Sequence, residues 1–175
     1  MGRNAWGATS LTDKYLNFYT GHETSAAVST LQTFEYDTGM TPRGGYIWEI
    51  HQVELYFSSE PSAVAAGALK TQAAALSFIG SQTVIPRIDT YGTVWRRTVL
   101  TSGNGTYNQP SFFEPPDGIY QFVRPMLYAK NKLYLYFQGS VATTSNGVDF
   151  RIGYTTKKIS GPLLWEAVEQ FMSEA

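Results

Sequence analysis

Lys132-Leu-Tyr-Leu-Tyr-Phe-Gln-Gly-Ser-Val-Ala-Thr-Thr-Ser-Asn-Gly-Val-Asp-Phe-Arg-Ile-Gly-Tyr-Thr-Thr-Lys-Lys-Ile159 is the stretch that decides how this chain reads. Its first part, Lys132 to Gln138, alternates: Leu133, Leu135 and Phe137 fall on one face, Tyr134, Tyr136 and Gln138 on the other. Its last part does the same, with Val148, Phe150, Ile152 and Tyr154 opposite Asp149, Arg151 and Gly153. Side chains alternate across a β-strand, so a period of two marks a strand with one packed face and one face turned to water or a partner. Gly139 to Gly147 joins the two as a polar loop, with Asn146-Gly147 supplying turn chemistry.

Working outward, the same pattern recurs. Strands are expected over 13–20, 28–37, 45–58, 74–80, 93–101, 118–128, 132–141 and 147–159. Gly21-His22 is read as the break after the first. In Tyr46 to Ser58 the apolar set changes parity, from Tyr46, Trp48 and Ile50 to Val53, Leu55 and Phe57. A strand cannot change faces without an extra residue, so a β-bulge or bend is predicted near His51-Gln52. Pro125 marks a bulge, an edge or a strand end, because proline cannot donate to a ladder. The alanine-rich stretch within Ser59 to Ala75 reads as a short helix or an irregular connection. Tyr107 to Gly118, with Pro110, Pro115 and Pro116, reads as a long loop.

Both ends differ from this pattern. Residues 1–12 form an N-terminal arm, small and polar apart from Trp6, which is a candidate anchor on a neighbour. Residues 161–175 form a short amphipathic helix: Pro162 suits a first helical turn, and Leu164, Val168, Phe171 and Met172 recur at three- and four-residue steps. At about three turns such a helix is marginal alone, so its stripe docks on its own sandwich or on a neighbouring copy. Residues 13–160 between them make one domain. The fold class is all-β: an eight-stranded antiparallel jelly-roll β-sandwich with a short C-terminal amphipathic helix.

Composition narrows the function. The chain has 175 residues, enough for one sandwich with a sizeable core. Charged residues make up 15%, against about a quarter in ordinary domains, and aromatic residues another 15%. So little charge fits a surface partly covered by other copies or by a partner, or else a plain aromatic-rich sandwich. Formal net charge is −1, and the densest basic points, Arg96-Arg97, Lys130/Lys132 and Lys157-Lys158, are no more than pairs. Sequence-specific nucleic-acid binding is not expected, because phosphate capture needs clustered Lys and Arg. Cysteine is absent, so disulfides and thiolate metal sites are excluded. Met1 to Ser10 has no apolar core of a signal peptide, which predicts synthesis and assembly in a cytoplasm.

No catalytic, cofactor-binding or metal-binding residue is assigned. The two histidines, His22 and His51, form no ligand motif with neighbouring carboxylates. Glu49 and Glu54 are a weak candidate for paired carboxylates, of opposite parity unless a bulge realigns them. No nucleophile elbow or phosphate loop occurs. Tyr107, Phe112, Phe113 and Tyr120 could stack on sugars, pack an interface or anchor their loop. The face bearing Tyr134 and Tyr136 could be covered by another subunit.

The run from Gln121-Phe-Val-Arg-Pro-Met-Leu-Tyr128 through Lys132 to Phe137 and on to Asp149-Phe-Arg-Ile-Gly-Tyr-Thr155 resembles the closing strands of viral single jelly-roll capsid proteins, of the tailless phage or archaeal virus type. The resemblance implies a structural capsid protein that self-assembles into an icosahedral shell, located in the virion, without catalysis or cofactor. It implies other copies of the chain as partners, with other capsid proteins or an internal membrane beside them. The arm departs from many such proteins in carrying only Arg3, which argues against direct genome binding. The alternative from composition is a carbohydrate-binding β-sandwich, a lectin-like module or a receptor-binding spike.

Overall fold

The computed structural model describes residues 16–25, 30–40, 45–57, 69–103, 108–112, 118–139 and 146–158. Among them run nine strands: β1 (Asn17–Ser25), β2 (Gln32–Asp37), β3 (Tyr46–Phe57), β4 (Leu69–Ser77), β5 (Thr93–Gly103), β6 (Asn108–Phe112), β7 (Ile119–Tyr128), β8 (Lys132–Gly139) and β9 (Asn146–Lys158). They form a four-stranded sheet of order β1-β9-β3-β7 and a five-stranded sheet of order β2-β8-β4-β5-β6. Every pairing is antiparallel. The all-β, two-sheet expectation is met. The predicted arm with Trp6, and the predicted helix with Leu164, Val168, Phe171 and Met172, lie outside the described residues.

The pairing is nested. β1 pairs with β9, β2 with β8, β3 with β7, and β4 with β5. The chain thus behaves as one long ribbon doubled back near β4 and β5, with its two halves running side by side. Successive strands change sheet, except along β4, β5 and β6. The two strands whose alternation is clearest, β8 and β9, are therefore adjacent in sequence but lie in opposite sheets. Their apolar faces meet across the core: Leu133, Leu135, Phe137, Val148, Phe150 and Ile152 are all buried. Strands with one apolar face must cover it with another layer, and the second sheet is that layer.

The core mixes Ile, Leu and Val side chains with stacked aromatic rings. Trp48 stacks on Tyr154 with ring centroids 4.1 Å apart and 23° between planes. It also lies 6.0 Å from the ring of Tyr128. Trp95 stacks on Tyr120 at 4.2 Å. Much of the aromatic content is thus consumed by the interior, where such rings bury large areas in specific geometries.

The parity change in β3 is a register shift between Ile50 and Gln52, seen against both β7 and β9. The extra residue at His51 lets Trp48 and Ile50 on one side of it, and Val53 and Leu55 on the other, all reach the core. Pro125 lies in β7, the outer strand of its sheet, within a larger irregularity described below.

Three expectations need correction. β1 does not stop at Gly21-His22 but continues to Ser25, in unbroken register with β9. Gly21 sits in mid-strand because the rings of Phe150 and Tyr36 occupy the space a Cβ would need. These rings meet edge to face at 4.9 Å. Glycine inside a strand often marks such a close approach. Second, β4 spans Leu69–Ser77 rather than 74–80, so the end of the expected helix or connection, Leu69 to Ala73, is strand, while its alanines at 63–68 lie outside the described residues. β4 is hydrogen-bonded to β5 on one side and β8 on the other, and that tertiary context outweighs the helix preference of alanine. Third, Asn108–Phe112, read as loop, is a ninth strand on the outer side of β5. Its Pro110 is tolerated because an edge strand has a side that need not donate.

Candidate functional site

The outward face of the four-stranded sheet carries the densest polar arrangement among the described residues. It is organised by the bulge in β3. Glu49 stands opposite Thr155 and Glu54 opposite Arg151, and Thr155 and Arg151 share one face of β9. The extra residue at His51 therefore does realign the two carboxylates to the same face. Their partners on β9 are four residues apart, so the Cα positions are about 13 Å apart along the strand. Each carboxylate also has its own cation. Lys157 Nζ donates to Glu49 Oε1 at 2.8 Å. Arg151 Nε and Nη2 both donate to Glu54 Oε1, at 2.9 and 2.7 Å. Gln52 Nε2 adds a third donor at 3.0 Å. A glycosidase pair needs its carboxyls about 5–10 Å apart and free to act on a bond between them. Two carboxylates held apart by separate cations do not suit that work.

His51, at the bulge, lies 3.0 Å from Thr155 Oγ1, and that hydroxyl donates to Glu49 Oε2 at 3.4 Å. His22, on β1, lies 2.5 Å from Asp149 Oδ1 through its Nδ1. The two histidines lie on different strands, each with its own partner. No group of three or more His, Cys, Asp or Glu able to hold a metal occurs among the described residues. This face can tie strands together and present polar groups.

Two straps fix β1 and β2 to each other across the sandwich. Tyr19 Oη donates to the carbonyl of Asp37 at 2.8 Å, and Tyr36 Oη donates to Glu23 Oε1 at 2.8 Å. Burial, and then the nearby carboxylates, push both phenol pKa values upward. Elsewhere Arg97 reaches across the interior to donate to the carbonyl of Leu55 at 2.5 Å.

The outer face of the five-stranded sheet is covered by the chain itself over β4 and β8, while Thr33, Glu35 and Asp37 of β2 stay exposed. The β4–β5 connection folds back so that Ile85 packs on Ala73, Ala75 and Tyr136. Tyr136 Oη donates to the carbonyl of Ile79 at 2.5 Å and accepts from the amide of Gln82 at 3.2 Å. The cover over Tyr136, read from sequence as a possible other subunit, is thus a loop of the same chain. That loop in turn presents Val84, Ile88 and Tyr91 to solvent.

Among the described residues the most exposed apolar side chain is on β7. Gln121 stands opposite Gln52 and Met126 opposite Ile50, so Phe122 to Pro125 stand opposite the single residue His51. Four residues against one make a blister on an outer strand. At its tip Val123 is 99% exposed. Leu127, opposite Glu49, is 40% exposed on the same strand. Sequence reasoning marked Pro125 but missed Val123, because in Ile119 to Tyr128 an apolar residue at that position looks like core. Tyr120, one of the candidate stacking rings, is half-buried and engaged with Trp95. The side chains of Tyr107, Phe112 and Phe113 lie outside the described set. In comparisons the chain matches no known protein family and no curated protein.

Proposed function

We propose that this chain is a structural capsid protein, built on a jelly-roll β-sandwich, that self-assembles into a virus shell and transforms no substrate. The observation that carries the reading is the nested pairing of β1 with β9, β2 with β8, β3 with β7 and β4 with β5, closed into sheets of order β1-β9-β3-β7 and β2-β8-β4-β5. A ribbon of eight strands wound over two sheets is the jelly-roll plan, which capsid and lectin domains share. β6 is then an added rim strand. Function is not implied by fold. Self-assembly is favoured by the low charge content, by carboxylates engaged in strand-to-strand ion pairs, and by fully or half exposed Val123, Val84 and Ile88.

In this reading the segment Pro162 to Ala175 is an assembly helix, and its deletion weakens assembly while leaving the β spectrum intact. Purified protein is expected to form capsomers, rings or particles in sedimentation and electron microscopy. A strictly monomeric protein retained on glycan surfaces would overturn the proposal in favour of a carbohydrate-binding sandwich.

A further inference from the structure

Two sheets have four outer strands, and three of these are blunted. β2 is six residues long and carries Glu35 and Asp37, both paired to Lys132. β6 is five residues long and contains Pro110. β7 is interrupted by the blister from Phe122 to Pro125. Short length, charge, proline and bulges are the devices by which proteins stop edge-to-edge pairing. β1 is long, has no proline and no bulge, and its one carboxylate, Glu23, is engaged by Tyr36 Oη. Its nine residues, Asn-Phe-Tyr-Thr-Gly-His-Glu-Thr-Ser, include no proline and no lysine. Its register with β9 is continuous from Asn17 to Ser25. Among the described residues β9 is its one strand neighbour, and no described strand pairs with the backbone donors and acceptors on its other side.

We infer that β1 is the seam through which a second copy of this chain joins, its own β1 lying antiparallel across a twofold axis at Gly21. The inference rests on the self-association reading above and names its surface. Twofold pairing requires opposed residues to share a face, so the axis passes through a residue. The register that uses all nine residues is centred on Gly21. It sets Asn17 against Ser25, Phe18 against Thr24, Tyr19 against Glu23 and Thr20 against His22, with no like charges opposed. Moving the axis one residue puts His22 on His22, and two residues puts Glu23 on Glu23, where like charges directly opposite destabilise. The sequence of β1 is therefore self-complementary in the register that makes the most hydrogen bonds. The product is an isologous contact with an eight-stranded sheet running through both copies. Phe18, 47% exposed at the end of the strand, is covered by Thr24 of the second copy.

The chain has no cysteine, which makes the register testable. In this pairing Thr20→Cys in one copy faces His22→Cys in the other, directly opposed Cβ atoms being about 5 Å apart. Two copies of the same single variant place their thiols on a diagonal, beyond disulfide reach. Under mild oxidation a mixture of the two variants is expected to cross-link, and either alone is not. The double variant Thr20→Lys/His22→Lys sets ammonium against ammonium on both sides of the axis, places a cation beside Asp149, and is expected to weaken association about tenfold in sedimentation. Circular dichroism checks that each variant folds. Should the unmodified protein associate while the mixture fails to cross-link and the lysine variant associates equally, β1 is not the seam and self-association survives. Should the unmodified protein stay monomeric at every concentration, the self-association reading fails first.

Discussion

Glu54 is a carboxylate that the sheet has removed almost wholly from water, with 2% of its side chain exposed. Three donors converge on its Oε1, two of them from Arg151. Arg151 itself remains 44% exposed, so its own desolvation cost is modest. The asymmetry decides the outcome of substitution. Removing the exposed partner leaves the buried charge uncompensated, which typically costs several kcal/mol. Solvent screening at the arginine end trims that, and Arg151→Met is expected to lose about 2–3 kcal/mol. Adding Glu54→Gln to it removes the stranded charge and should recover part of the loss in urea unfolding. If the double variant is no more stable than the single, the charge of Glu54 is not what Arg151 compensates. Gly21 makes the complementary case, where the missing atom matters. Gly21→Ala forces a methyl group against Phe150 and Tyr36, and is expected to cost about 1–3 kcal/mol as overpacking. Phe150→Leu in the same chain should be less than additive with it, because both changes act on one crowded contact.

At the scale of elements, legibility followed how much of a strand's burial came from its own sheet partner across the core. β8 and β9 each set one apolar face against the opposite sheet, and simple alternation exposed both. The bulge in β3 was legible because it reverses that alternation. β4 was not, since its outer face is also buried, under the β4–β5 connection, so Ala73, Ala74 and Ala75 show no period at all. β6 and the far half of β1 were hidden by Pro110 and Gly21, residues that read as breakers unless the neighbours are known. The blister was half legible: proline marked its place, but nothing local could show that four residues oppose one. Small size at Ala75 is what admits the covering loop. Ala75→Leu should therefore lift Ile85 from Tyr136 without dissolving the sheets, at a cost of about 1–3 kcal/mol. Arg87 lies exposed on that loop, so trypsin cleavage there should accelerate in proportion to the local opening. Unchanged cleavage would mean that the loop is held by its Ile79 and Gln82 contacts to Tyr136 rather than by packing over Ala75.

For the molecule as a whole, the phenol groups tie stability to alkaline pH. Tyr19, Tyr36, Tyr56, Tyr128, Tyr134 and Tyr136 all have pKa values pushed upward, with burial the largest cause in each. Carboxylates reinforce it, Glu23 at Tyr36 and Glu35 at Tyr134. The folded state holds these protons more tightly than the unfolded chain, whose tyrosines titrate near pH 10. Above that pH the unfolded state binds fewer protons, so stability falls as pH rises. The stabilisation is fully present below about pH 10 and is lost as pH climbs through the raised values of the folded state. Urea midpoints should thus stay flat up to about pH 9 and then decline steeply, with tyrosinate absorbance from these six rings appearing together with unfolding. Tyr36→Phe removes one of these protons together with its hydrogen bond to Glu23. It should lower stability at neutral pH and flatten the alkaline decline. A decline that keeps the same slope in this variant would assign the effect to other groups. The same experiment bears on assembly, because Tyr36 and Tyr19 strap β1 to β2. If β1 is the seam between copies, association should weaken over the same alkaline range in which these phenols ionise, and Tyr36→Phe should shift both transitions together.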